Sequence, residues 1–414
     1  MAKLAMHGGA PVRTQGFHPW PVHGEAERQG LLEVLESGEW WYGAKVRAFE
    51  EQFAAFQDAR YGVSCMNGSM SLEMGLYACG MQAGDEVITT PYTFIATPIS
   101  ILRMNAVPVF ADVDLDTWNL DIAAVKAATT EKTRAIMPVH FGGVPVDMDA
   151  FSAFAGERQL AIIEDACHSW GTQWNGKGTG ALGACGGFSF QVSKNITAGE
   201  GGILLTDDAE IAEMARAFSN YGRGKGGIWY RHYLPGTNLR MTEFQAAVLL
   251  GQLSRLEEQT LHRERNAAWL DRALSAIPGI RVQQCDPRVT RRSIHVYLFR
   301  FISEEWDGVT RDQFLQALQA EGIAGSGGYP VPLYRMPVFS KEADEHGFTP
   351  EARPYYAQDV DYARVHCPNA ERLCREAVWF FQPWFLGEQA DMQDIADAVA
   401  KIWEHRRELL QTRV

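Results

Sequence analysis

A chain of 414 residues exceeds the size at which a single hydrophobic core stops growing, so two domains are expected. With 46% hydrophobic and 21% charged residues it has the make-up of an ordinary folded protein, which excludes disordered and fibrous classes. A net charge of −13, from 51 acidic and 38 basic residues, argues against nucleic acid or an anionic membrane as its main partner.

The seven cysteines contain no CxxC pair and several lie in apolar runs, as in a reduced, cytoplasmic protein. No metal-ligand pattern stands out. No run approaches about 18 uninterrupted apolar residues, and residues 1–13 lack the apolar centre of a signal peptide.

Residues 1–30, broken by Gly8, Gly9, Pro11, Pro19 and Pro21, predict an irregular arm laid over another surface. Helical spacing follows over 25–36 and 46–56, separated by the aromatic cluster Trp40-Trp41-Tyr42, which suits a packing or interface patch. From residue 61 strands alternate with helices: strands over 61–65, 86–89, 107–111, 134–139 and 160–164, helices over 71–79, 94–104, 120–128 and 148–154. Such alternation implies right-handed crossovers and a mostly parallel central sheet flanked by helices, an α/β architecture. Further strands are expected over 187–191 and 202–206, a helix over 208–220, and one long helix over 241–276. The remainder mixes strands and helices, as in a smaller α+β domain. The expected division is an arm over 1–30, a large domain over 31–262 and a small domain over 263–414.

In parallel sheets ligands collect at the carboxyl ends of the strands. Asn67-Gly68-Ser69, Pro91-Tyr92-Thr93, His140 and Asp165 all fall there. The amides around Gly68, Ser69 and Met70, at a helix start, suit a phosphate dianion, although Asn-Gly-Ser is also a common turn and cap. Asp165 ends an apolar strand, where an acid gains by meeting a cation such as a pyridinium nitrogen; a helix cap is the alternative. His168 could bond a phenolic oxygen or be a satisfied core histidine. Lys194 lies between a strand and a glycine-rich turn, a setting for a Schiff-base lysine as well as for an ordinary surface lysine. Ser189, beyond Gly186-Gly187, could add a hydroxyl to the phosphate. One cavity could thus hold a cradle, an acid and an amine, the requirements of pyridoxal 5′-phosphate (PLP).

Gly68-Ser69, Pro91-Tyr92-Thr93-Phe94, Pro138-Val139-His140, Glu164-Asp165-Ala166, Phe188-Ser189-Phe190, Lys194-Asn195, Gly199-Glu200-Gly201-Gly202 and Gly236-Thr237-Asn238-Leu239-Arg240-Met241 occur in this order. Together they resemble the DegT/DnrJ/StrS aminotransferases, from about residue 30 to the C-terminus. The resemblance implies the fold-type I PLP aminotransferase architecture and a homodimer with shared active sites. It makes Lys194 the internal-aldimine lysine and proton shuttle, Asp165 the partner of the pyridine nitrogen, and Phe94 the ring stacked on the cofactor. His168 would contact the cofactor's oxygen side, Ser69 and Ser189 the phosphate, and Asn238 the phosphate of the neighbouring subunit. A lysine at 194 separates the chain from the family's dehydratase branch, which has histidine there.

Trp40-Trp41, Phe190-Gln191 and Thr197 to Glu200 are similar to the scyllo-inosose-type cyclitol aminotransferases and to 3-amino-5-hydroxybenzoate synthase. Lys194-Asn195-Ile196 is closer to general sugar aminotransferases, and Phe141-Gly142-Gly143 replaces the Leu-Tyr-Gly often found after the histidine. The implied reaction is a ping-pong transfer from L-glutamine or L-glutamate to a keto-sugar or keto-cyclitol. The alternatives are a PLP dehydratase or aromatising synthase, and a non-enzymatic regulator on the same fold. Trp40, His295, Tyr329 and Arg335 are candidates to line the substrate pocket.

Overall fold

The computed structural model describes residues 3–224, 230–339 and 361–410. Its first half alternates as the hydrophobic pattern predicts, through α1 (Glu25–Ser37), α2 (Ala44–Phe56), β1 (Tyr61–Cys65), α3 (Gly68–Ala78), β2 (Glu86–Thr89), α4 (Ala96–Arg103) and β3 (Val107–Phe110). α5 (Ile122–Ala128), β4 (Thr133–Met137), α6 (Met148–Arg158) and β5 (Ala161–Asp165) continue the series. A small hairpin, β6 (Gln173–Trp174) and β7 (Lys177–Gly178), precedes β8 (Cys185–Ser189), β9 (Gly202–Thr206) and α7 (Ala209–Phe218). Seven of these strands form one sheet in the order β1-β9-β8-β5-β4-β2-β3. Every pair from β8 to β3 is parallel, and β9 runs antiparallel to both its neighbours. The carboxyl ends of β1, β2, β4, β5 and β8 therefore face one edge, where a ligand site belongs.

Two local choices hold that edge together. Gly187 lets α3 lie against β8, since a Cβ there would run into Ser71 Oγ. Glu164, one residue before Asp165 and so on the opposite face of β5, is fully buried. Its carboxylate accepts from the amides of Gly180, Leu182 and Gly183 at 2.6–2.8 Å and meets His140 Nε2 at 2.8 Å. Glu164→Gln places an amide group among those donors and removes the charge that His140 faces. The expected loss, about 3–5 kcal/mol as for a broken buried pair, is measurable by urea unfolding.

After the sheet come α8 (Glu243–Leu253), α9 (Leu256–Ser275), β10 (Ile280–Val282), β11 (Val289–Arg291), β12 (Val296–Phe301) and α10 (Arg311–Ala320). α11 (Pro368–Glu376), β13 (Ala377–Phe381), α12 (Gln389–Glu404) and α13 (Arg406–Leu409) complete the order. The single helix expected over 241–276 is two, broken at Ser254-Arg255. Ser254 Oγ donates to the Gly251 carbonyl at 2.8 Å, and the Arg255 guanidinium reaches that carbonyl, the Val22 carbonyl and the Glu27 carboxylate. These side chains satisfy carbonyls that the end of α8 leaves free.

β10, β12 and β13 form an antiparallel sheet whose apolar face packs with Leu270, Phe314 and Ile395. The N-terminal arm docks on this same core, with Leu4 fully buried and Phe17 stacked on Trp384 at 4.3 Å. A second cluster joins Tyr92, Val139 and Phe141, beyond the strand ends of the large sheet, to Val296 and Leu298 of β12. No helix of the described residues is long and apolar enough to cross a membrane.

Candidate active site

A cavity of about 900 Å³ is lined by residues just beyond the strand ends. Lys194 projects from the turn after β8. Its amide donates to the Gln191 carbonyl at 2.9 Å, and Gln191 Oε1 accepts from the amide and hydroxyl of Ser193. Lys194 Nζ lies 5.6 Å from the centre of the Trp170 ring, whose Nε1 donates to the Ser189 carbonyl at 3.1 Å. Burial lowers the pKa of this amine below that of an ordinary lysine, while Cys167 and Asp165 pull it back up. The unfolded chain therefore binds more protons than the folded one between the lowered pKa and 10.5, so apoenzyme stability rises with pH across that window. Below it the folded protein carries the cost of a half-buried ammonium. Lys194→Met should accordingly unfold, as apoenzyme at neutral pH, at or above the wild-type temperature, although a typical core change loses roughly 0.5–3 kcal/mol. Calorimetry of the two apo forms checks this.

Asp165 ends β5 with 5% of its surface exposed. Oδ2 accepts from Thr97 Oγ1 at 2.7 Å and Oδ1 from the Cys167 amide at 3.2 Å. Among the described residues no basic side chain pairs with it, and the carboxylate faces the cavity that holds Lys194.

α3 begins at Gly68, three residues earlier than the apolar period suggests, because Asn67 caps it. Asn67 Oδ1 takes the Met70 amide at 3.0 Å. That bond removes Met70 from the phosphate-binding set expected of it and leaves the first-turn amides of Gly68 and Ser69 for an anion. A Cβ on Gly68 would fall 2.6 Å from the Ser189 Cβ, so the cradle and the Ser189 hydroxyl share one wall.

His168 and His295 also line the cavity, their rings 4.4 Å apart. The Gly142 amide donates to His168 Nδ1 at 3.4 Å, and His295 Nδ1 lies 3.2 Å from Asn195 Oδ1. Burial, and then the charge of Lys194, push both imidazoles well below their ordinary pKa, so both are neutral. Tyr329 packs edge-on against Trp379 at 4.8 Å, and burial with the nearby Asp165 raises its phenol. Phe94 lines the cavity with 58% of its surface exposed.

Trp40 and Arg335, expected as pocket residues, do not line this cavity. Trp40 packs on Phe244 at 5.6 Å, and Arg335 pairs with Glu371. Asn238 lies outside the cavity of its own chain, bridged to Asn220. Sequence reasoning missed Trp20, which reaches the cavity from the arm and donates from Nε1 to the Val192 carbonyl at 2.6 Å. It also missed Thr97, whose hydroxyl holds Asp165. Neither carries a sequence signal, because each acts across a tertiary contact.

An amine of lowered pKa, a carboxylate with no cation of its own, and free helix-terminal amides beside a hydroxyl are the donor set that PLP requires. The DegT/DnrJ/EryC1/StrS aminotransferase family model matches residues 21–353. Over 97% of its length the chain is 40% identical to a candidate L-glutamine:3-amino-2,3-dideoxy-scyllo-inosose aminotransferase of Streptoalloteichus tenebrarius, covering 98% of that protein. It is 35% identical to an L-glutamine:2-deoxy-scyllo-inosose aminotransferase of the same organism, over 98% of this chain and 99% of that one. The crystal structure of 3-amino-5-hydroxybenzoic acid synthase superposes with a TM-score of 0.84 at 33% identity, over 96% of this chain and all of that one.

Proposed function

Because the chain belongs to the DegT/DnrJ/EryC1/StrS aminotransferase family, we propose that it moves the amino group of L-glutamine, or of L-glutamate, to the ring ketone of a cyclitol or sugar. The enzyme is a PLP-dependent aminotransferase, as the family is. The juxtaposition of Lys194 and Asp165 on one cavity is the observation that carries the reading. The glutamine donor and the cyclitol acceptor are favoured by relatives whose names specify both.

When bound, PLP supplies an electron sink for charge on the carbon being deprotonated. We assign the remaining work to the chain itself. Lys194 Nζ would hold the cofactor's aldehyde carbon and, once displaced by the donor, take the proton from the donor's α-carbon. Asp165 would keep the ring nitrogen protonated by facing it as a carboxylate. The Gly68 and Ser69 amides, with the hydroxyls of Ser69 and Ser189, would hold the phosphate. Phe94 would cover the ring face and His168 its oxygen side. The acceptor ketone would then take the amino group as Lys194 returns the proton.

A homodimer with shared sites fits the surface. Leu32, Leu35, Trp40 and Trp41 are exposed, and Leu32 and Leu35 line a groove with Phe244 and the segment Thr197 to Gly199 just after Lys194. Asn238, outside its own cavity, is available to the neighbour's phosphate. We retain the division into an arm over 1–30, a large domain over 31–262 and a small domain over 263–414, which the apolar core around β12 and α12 supports. A cytoplasmic setting, with neither membrane nor nucleic acid as partner, agrees with seven free cysteines and the acidic balance.

The test is to incubate PLP-loaded protein with single amino acids, follow conversion of the cofactor to its amine form, and then supply ring ketones. L-Glutamine should convert the cofactor and a cyclitol ketone should restore it, yielding a ring amine. Absence of any amine product across the panel overturns the proposal. The likeness to 3-amino-5-hydroxybenzoic acid synthase keeps an aromatising reaction as the second reading, which a new ultraviolet chromophore in the product would reveal.

A further inference from the structure

We infer that His295 recognises a hydroxyl next to the acceptor's ketone, accepting its hydrogen bond at an Nε2 lone pair that Asn195 keeps open to the cavity. The inference rests on the aminotransferase reading above. The Asn195 amide nitrogen donates to the Ile294 carbonyl at 2.9 Å and to Ser293 Oγ at 3.3 Å. A carbonyl only accepts, so the other amide atom, facing His295 Nδ1 at 3.2 Å, is the oxygen. That oxygen also only accepts. Nδ1 of the neutral ring must therefore carry the hydrogen, and Nε2 is left with its lone pair.

His168 has the opposite tautomer. The Gly142 amide points its hydrogen at Nδ1, so the proton of this ring sits on Nε2. With the rings 4.4 Å apart, the cavity wall presents a donor beside an acceptor. Neither Nε2 has a protein partner among the described residues. The donor suits an oxygen that can only accept, as on the cofactor. The acceptor has no such use and calls for a hydroxyl.

The place of that hydroxyl follows from Trp170, whose ring centre lies 5.6 Å from Lys194 Nζ and 5.4 Å from the His295 ring. His295 thus shares with Lys194 the end of the cavity built around Trp170, near enough for the Lys194 charge to act on its ring. Trp379 and Phe381 make part of the cavity wall aromatic, without an acceptor. A hydroxyl directed at Nε2 finds its acceptor there, and a ketone lacking it leaves Nε2 unpaired. A site built this way selects vicinal hydroxy-ketones by rejecting their deoxy analogues.

The experiment compares wild type, His295→Phe and His295→Gln, each PLP-loaded, in separate half-reactions with a cyclic vicinal hydroxy-ketone and its deoxy analogue. Wild type should prefer the hydroxy-ketone in kcat/KM by roughly 10- to 100-fold, the range for leaving a buried polar group unpaired. His295→Phe should lose that preference and slow the acceptor half-reaction more than the donor one; His295→Gln, whose amide oxygen can take the Nε2 place, should recover part of the preference. Independently, ring 15N shifts of labelled protein should report the Nδ1–H tautomer for the histidine absent from the His295→Gln spectrum. An Nε2–H tautomer, a preference that survives in His295→Phe, or a donor half-reaction slowed as much as the acceptor one would overturn the inference. Equal use of both ketones by wild type sinks this inference alone, whereas no amination of any ketone sinks the reading beneath it.

Discussion

Replacing Lys194 with alanine is expected to abolish the absorbance of the lysine-bound cofactor and to lower transamination by at least about 10,000-fold, since nucleophile and proton carrier are lost together. The size of the effect follows from the make-up of the cavity. Among the described residues that line it, Lys194 is the sole lysine or arginine, so no other amine can take over either task. His168 and His295 stand nearby, but each is committed on one nitrogen and neither forms the bond that an amine forms with an aldehyde. The variant should nevertheless fold, because it relieves the protein of a half-buried ammonium, and should still bind PLP through the α3 amides and Asp165. A small added amine would fit the space that the side chain vacates and should return part of the proton transfer. Full turnover by Lys194→Ala, with PLP bound and no added amine, would remove the basis of the proposed function.

Part of this site is legible in the sequence, because two of its parts are properties of strand ends. Asp165 and the Asn67-Gly68-Ser69 turn could be placed on one sheet edge from the alternation of strands and helices alone, whereas Ser189, inside the strand expected over 187–191, closes the strand β8 (Cys185–Ser189). Their boundaries were less legible. Gly68 and Ser69 look like loop residues, yet an asparagine cap draws both into the first turn of α3, and that cap consumes the Met70 amide assigned to the phosphate. The break at Ser254-Arg255 was hidden for a related reason. The apolar period runs through it, and what stops α8 is an arginine turning back to carbonyls of the arm and of the helix itself. Trp20, Thr97 and the Asn195–His295 contact were out of reach altogether, since each joins segments far apart in the chain. Trp40 and Arg335 show the converse. Aromatic and guanidinium groups suit a substrate wall, but here they meet Phe244 and Glu371.

Asp165→Asn should reduce kcat by roughly 100- to 1,000-fold, the lower part of the range for removing one partner of a buried charge pair. The pair in question is the one proposed between the carboxylate and the cofactor's ring nitrogen. It is distinguished from a purely structural role by the apoenzyme. Asp165 is buried, and among the described residues it accepts only from the Thr97 hydroxyl and the Cys167 amide, with no ion-pair partner. The amide oxygen of an asparagine keeps the Cys167 bond, its NH2 in the Oδ2 place can donate to a Thr97 hydroxyl that turns its own hydrogen to Thr93, and the charge that was costly to bury is gone. The apo form of Asp165→Asn should therefore melt at or above the apo wild type. Adding PLP should then raise its melting temperature by less than it raises that of wild type, because binding stabilises only in proportion to affinity. A helix-cap residue predicts the reverse pattern, an apo form several degrees less stable and an undiminished shift with PLP. Thermal scans of the four samples separate the two roles, and the capping pattern would falsify the assignment of Asp165 to the ring nitrogen.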